Sequence, residues 1–93
     1  MTTTREIIVR NKVGLHARPA AQFVKTANQF KSKALVENLT KGTPAANAKS
    51  ILSLLSIAVQ MNDQIRLTLE GGDETEALSA LCALIDNNFG EAA

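Results

Sequence analysis

From Gln64 to Glu70 polar and apolar residues alternate without a break, with Ile65, Leu67 and Leu69 on one side and Gln64, Arg66, Thr68 and Glu70 on the other. A period of two marks a half-buried strand. Gly71-Gly72 then turns the chain. Asp73 is placed to cap a helix, with Glu76 three residues on completing a capping-box pattern. Ala77, Leu78, Leu81, Leu84 and Ile85 follow at helical spacing, and Gly90 marks the end.

The period shifts several times before that strand. Residues 5–10 read as a short strand with Ile7 and Val9 on one face. From Ala17 to about Phe30 the apolar positions Ala20, Phe23, Val24, Ala27 and Phe30 recur at helical spacing. Residues 33–39 form a second strand whose inward face alternation alone does not settle. Thr40-Lys41-Gly42-Thr43-Pro44 supplies turn chemistry, and a brief strand over Thr43–Ala46 follows, confined by Pro44 to an edge or a strand start. Ser50 reads as the N-cap of a short helix running to about Val59. The order β-α-β-β-α-β-α over 93 residues predicts one α+β domain, an antiparallel sheet with helices layered on one face.

Composition narrows the function. Ten Lys and Arg against nine Asp and Glu leave a net charge of +1, which favours neither a nucleic-acid nor a membrane surface. Only Phe23, Phe30 and Phe89 are aromatic, so base-stacking platforms are not expected. Cys82 has no partner for an internal disulfide and suits a reducing compartment. It falls near the buried edge of the last helix, where a structural role is expected. The first residues lack an apolar signal core, and the uncharged run Ile51–Met61 is shorter than the about 20 residues a membrane helix needs. A cytoplasmic protein without membrane insertion is expected.

The only histidine stands in Gly14-Leu15-His16-Ala17-Arg18-Pro19-Ala20-Ala21. It precedes the first turn of a helix, where Pro19 is tolerated because the N–H it lacks has no intrahelical partner there. Gly14 permits a close backbone approach. The helix N-terminus and Arg18 attract an anion, and the dipole is worth roughly 0.3–1 kcal/mol. One His and one Cys cannot build a zinc site or a triad, and no cofactor is implied. What remains is a histidine acting alone as a nucleophile in phosphoryl transfer, in surroundings that favour both the neutral imidazole and the transferred dianion.

Continued through Gln22-Phe23-Val24-Lys25, this block resembles the active-site signature of the HPr family, the histidine-containing phosphocarriers of the sugar phosphotransferase system. Asn47-Ala48-Lys49-Ser50-Ile51-Leu52 resembles the segment around that family's regulatory serine. The resemblance runs over essentially the whole chain. It implies an open-faced sandwich, a four-stranded antiparallel sheet with three helices on one face. It also implies a monomeric carrier that is not a complete enzyme by itself. His16 would accept phosphate on Nδ1 from enzyme I, charged by phosphoenolpyruvate, and pass it to enzyme IIA-type domains. Arg18 would hold the phosphate. Ser50 would be a regulatory phosphorylation site for an HPr kinase/phosphorylase, with a transcriptional regulator as a further partner.

Ser50 also has a purely structural reading, since serine at an N-cap is worth about 1 kcal/mol over alanine. Ile51, Leu54, Leu55 and Ala58 are expected on one face of its helix, leaving Leu52 elsewhere. The helix is more apolar than one buried stripe needs, so Ile51, Leu52 and Leu55 are predicted partner contacts, with Lys25 and Lys49 on a positive rim. The segments Arg10–Gly14 and Asp86–Gly90 also resemble the nitrogen-branch paralogue NPr, which has regulatory partners. A non-catalytic binding module acting through the Ser50 helix is the alternative from another class. A small hydrolase is disfavoured because no general acid accompanies His16.

Overall fold

The computed structural model describes residues 1–91. Its elements are β1 (Thr2–Ile8), α1 (Ala17–Ala27), β2 (Lys33–Asn38), β3 (Ala46–Asn47), α2 (Ile51–Ser56), β4 (Gln64–Glu70) and α3 (Glu74–Asp86), closed by a 3-10 turn at Asn88–Gly90. All strand pairs are antiparallel, in the order β1-β4-β2-β3. The alternating strand β4 lies between β1 and β2, setting Ile7 opposite Ile65 and Val36 opposite Leu67. Ile65, Leu67 and Leu69 point into one core with Val36, Phe23, Leu54, Leu81 and Ile85. The three helices cover that face. On the open face, Arg66 of β4 bridges Glu6 of β1 at 3.1 Å and Glu37 of β2 at 3.2 Å, tying three strands across the wet side.

The inward face of β2 is Ala34, Val36 and Asn38. A fully buried asparagine in this set, with Leu35 on the opposite face, is why alternation did not reveal it. Several boundaries differ from the sequence reading. Strand β1 spans Thr2–Ile8 rather than 5–10, because its ladder with β4 extends to Thr2 opposite Glu70. Helix α1 stops at Ala27, three residues short of Phe30, where Asn28 turns its side chain back onto the Val24 carbonyl at 3.0 Å. Strand β3 is Ala46–Asn47, not Thr43–Ala46. Thr43 is instead spent closing the loop, its N–H donating to the Asn38 carbonyl and its Oγ1 accepting the Asn38 N–H.

Helix α2 ends at Ser56 rather than Val59, since Ala58 takes a left-handed φ of 49° that no helix continues through. Asp73 precedes α3 but does not cap it, and no capping box with Glu76 forms. Its carboxylate accepts the N–H groups of Lys31 and Ser32, both at 2.9 Å, and the Ser32 hydroxyl. The Ser32 hydroxyl and the Lys31 N–H hold that carboxyl below its usual range. Cys82 is buried with Ala77, Leu81 and Ile85, whereas Leu78 and Leu84 are only partly covered. Burial raises the Cys82 thiol's pKa, which suits a packing role.

Candidate functional site

His16 occupies the N-cap position of α1, extended at φ −141° and ψ 157°, with its side chain exposed and making no capping bond. The next residue, Ala17, begins the helix at φ 50°, a conformation that costs a non-glycine residue about 1–3 kcal/mol. The chain therefore turns sharply between the imidazole and the helix it leads. Arg18 follows, exposed, and buried Pro19 anchors the first turn. Because Pro19 has no N–H, the first-turn backbone donors left at this terminus are those of Ala17 and Arg18. First-turn acids are absent from α1, so nothing in the helix itself competes for an anion there.

The loop before His16 is seated on the segment that leaves α2. The Leu15 N–H donates to the Val59 carbonyl at 3.1 Å, and Leu15 is buried. Gly14 has φ 64°, and a Cβ there would lie 2.2 Å from the Val59 oxygen and 2.8 Å from the Gln60 Cα. The close approach expected at this glycine is thus a contact with residues 59–60. Asn11, itself buried, donates from Nδ2 to the Gly14 carbonyl at 2.9 Å, and its own carbonyl takes the Gly14 N–H at 3.2 Å. A shallow depression beside the imidazole is lined by Val13, Leu15, Leu55, Ala58, Val59 and Gln60.

The face of α2 is where the sequence reading needs correcting. Leu54 is its buried residue and Ile57, just past its end, is buried too, while Ile51 is 40 % exposed, Leu55 half-buried and Ala58 exposed. Ile51 and Ala58 therefore border solvent instead of joining the core, while Leu55 packs against the core with part of its surface open. Leu52 is 78 % exposed. With Val13 and Met61, both 47 % exposed, these residues line the surface around and beyond His16 with apolar side chains.

Ser50 is the N-cap of α2, and its Oγ accepts the Ser53 N–H at 3.3 Å. It lies at the far end of the helix pair from His16. The Lys49 carbonyl beside it takes the Asn28 amide at 3.1 Å at the C-terminal end of α1, whereas His16 heads that helix 12 residues earlier. At 1.5 Å per residue the two ends are about 18 Å apart. Lys25 is exposed and falls two turns from Arg18 on the same face of α1. Lys49 is not a free rim charge, because its ammonium donates to the Phe30 carbonyl at 2.6 Å.

Two features escaped sequence reasoning. Asn11 gave no signal beyond being polar in a loop. The cluster Asn38, Lys41 and Asp63 gave only one, a polar residue at an inward strand position. Among the described residues no group of three or more His, Cys, Asp or Glu could hold a metal ion. No helix among the described residues is long and apolar enough to cross a membrane.

Residues 3–87 match the family model described as "PTS HPr component phosphorylation site". The chain is 44% identical over 87 residues to the phosphocarrier protein HPr of Neisseria meningitidis, covering 94% of each chain. It is 36% identical over 83 residues to the multiphosphoryl transfer protein of Haemophilus influenzae, covering 89% of this chain and 17% of that one. A crystal structure of HPr from Thermoanaerobacter tengcongensis superposes with a TM-score of 0.92 at 44% identity, over 98% of this chain and 99% of that one. An open-faced sandwich led by an exposed histidine at a helix N-terminus, matched over nearly its whole length, makes this chain a member of the HPr family of phosphotransferase-system phosphocarriers.

Proposed function

We propose that His16 is the phosphoacceptor, taking the group from phosphorylated enzyme I and passing it to enzyme IIA-type domains. The observation that carries this reading is the placement of an exposed imidazole on the N-cap of α1, beside backbone donors and Arg18. The ring attacks phosphorus with the Nδ1 lone pair. The P–N bond forms as the bond to the donor atom breaks, and that atom recovers its electron pair. The proton on Nε2 stays in place, so delivery is the same step reversed onto the next acceptor. Arg18 and the helix terminus offset the charge on the phosphoryl oxygens. No cofactor enters the step, and the carrier works as a monomer in the cytoplasm, where its partners are.

Ile51, Leu52 and Leu55 form the docking surface, with Lys25 speeding encounter with acidic partners. Transfer in series through this kind of module is in keeping with the relative named a multiphosphoryl transfer protein. Ser50 serves as a regulatory phosphorylation site for an HPr kinase/phosphorylase. At the opposite end of α1 from His16, a phosphate there would act on docking and on recruitment of a transcriptional regulator.

Reconstitution tests the relay. Phosphoenolpyruvate, enzyme I and this chain should together phosphorylate a sugar-branch or a nitrogen-branch IIA domain, and the faster acceptor assigns the branch. Failure to phosphorylate any IIA domain, with the chain itself labelled, would remove the relay and favour a regulatory binding module.

A further inference from the structure

The segment 57–63 does more than line the site. It holds both ends of the loop that presents His16. At one end the Val9 N–H donates to the Asp63 carbonyl at 2.9 Å, and the Asn62 N–H to the Val9 carbonyl at 2.6 Å. At the other, Leu15 donates to Val59 and Gly14 rests on Gln60. The segment is irregular, with left-handed residues at Ala58 (φ 49°) and Asn62 (φ 75°), so its shape does not come from a helix or a strand.

That shape comes from a polar brace, buried at Asp63 and Asn38 and open to solvent at Lys41. The Asp63 Oδ2 accepts the Gln60 N–H at 2.9 Å, the Asn38 Nδ2 at 3.0 Å and the Lys41 ammonium. Lys41 donates in addition to the Ala58 carbonyl at 3.0 Å and the Gln60 Oε1 at 3.1 Å, and Asn38 to the Ile57 carbonyl at 3.0 Å. Three side chains therefore fix Ile57, Ala58 and Gln60, the residues on either side of the Val59 carbonyl that receives Leu15. Asp63 is 7% exposed and Asn38 fully buried, so their bonds are not exchanged freely for water.

We infer that Asp63, Lys41 and Asn38 are positioning residues for phosphoryl transfer, setting the 57–63 segment on which the His16 loop is seated. They touch neither the imidazole nor the phosphate and act through the backbone of Val59 and Gln60. The inference rests on His16 being the phosphoacceptor.

The test compares Lys41→Met, the double variant Lys41→Met/Asp63→Asn and the conservative Lys41→Arg. Two readouts are needed: amide hydrogen exchange, and the rate of phosphorylation by enzyme I and phosphoenolpyruvate at sub-saturating carrier. The double variant avoids leaving a buried carboxylate alone and keeps the test available should Lys41→Met fold poorly. In both Met variants the Leu15 amide should exchange roughly two- to thirtyfold faster relative to core amides such as Leu67, and the phosphorylation rate should fall by a similar factor. Lys41→Arg should restore both. A general loss of stability that speeds Leu15 and Leu67 equally would overturn the inference, as would unchanged phosphorylation in a chain whose Leu15 amide has loosened. A wild type never labelled on His16 would instead sink the assignment of the phosphoacceptor. The exchange measurement would still report whether the brace holds the loop.

Discussion

Gly14 lies so close to Val59 that a Cβ on it would stand 2.2 Å from the Val59 carbonyl oxygen. The Leu15 N–H bonds that same oxygen. The turn into His16 and the exit from α2 are thus in backbone contact, and α2 reaches the His16 loop through this contact. Gly14→Ala meets both the collision and the left-handed φ of 64°. It should lower stability by about 2 kcal/mol or more and slow phosphorylation beyond what the unfolded fraction explains. Urea titration with a parallel rate assay checks both.

Ala58 offers the opposite case. It holds φ 49° with its side chain exposed, a strain a glycine would not carry. The relief of about 1–2 kcal/mol exceeds the extra chain entropy a glycine brings, so Ala58→Gly should stabilise by up to about 1 kcal/mol. Its Tm should rise by a few degrees on a thermal melt.

Two leucines of one helix should respond differently. Leu54 is fully buried, and Leu54→Ala should cost about 2–5 kcal/mol. Leu52 is 78 % exposed, and Leu52→Ala should change stability by about 0.5 kcal/mol or less while weakening transfer to or from partner proteins. Denaturation paired with transfer kinetics separates the two effects. Equal transfer rates for Leu52→Ala and wild type would remove Leu52 from the docking surface.

The Asp63 carboxyl carries a pH signature. Burial pushes its pKa up, but the hydrogen bonds from Lys41, the Gln60 N–H and Asn38 outweigh this and hold it below the ordinary value. A carboxyl that binds its proton less readily when folded stabilises the native state fully above its unfolded pKa of about 4. That contribution disappears as the pH falls through the lower folded value. Stability should therefore drop below about pH 4, and Asp63→Asn should flatten part of that drop while lowering stability at pH 7. Asp73, lowered chiefly by Ser32 and Lys31, contributes in the same direction.

What the sequence made legible was local. His16 at a helix start, Ser50 as an N-cap and the strand 64–70 each follow from neighbouring residues, and the structure has all three in place. What it concealed depends on distant partners. Asp73 has the spacing of a cap, yet the Lys31 and Ser32 N–H groups claim its carboxylate from 41–42 residues away. Helix α2 has six residues, fewer than two turns, so periodicity cannot fix which side is buried. That orientation, and the stop before Val59, are set by Asn38 and Lys41 reaching the Ile57 and Ala58 carbonyls from the far side of the sheet connection. Lys49 read as a free cation because the Phe30 carbonyl that binds it is 19 residues distant.

The most direct test of the account is the chemical identity of the phosphorylated residue. The chain is incubated with phosphoenolpyruvate and a competent enzyme I, and the label is located by phosphorus NMR and peptide mapping. The account predicts an acid-labile phosphoramidate on His16 in the wild type and none in His16→Ala. Equal labelling of the two proteins, or an unlabelled wild type beside a control carrier that is labelled, would contradict it.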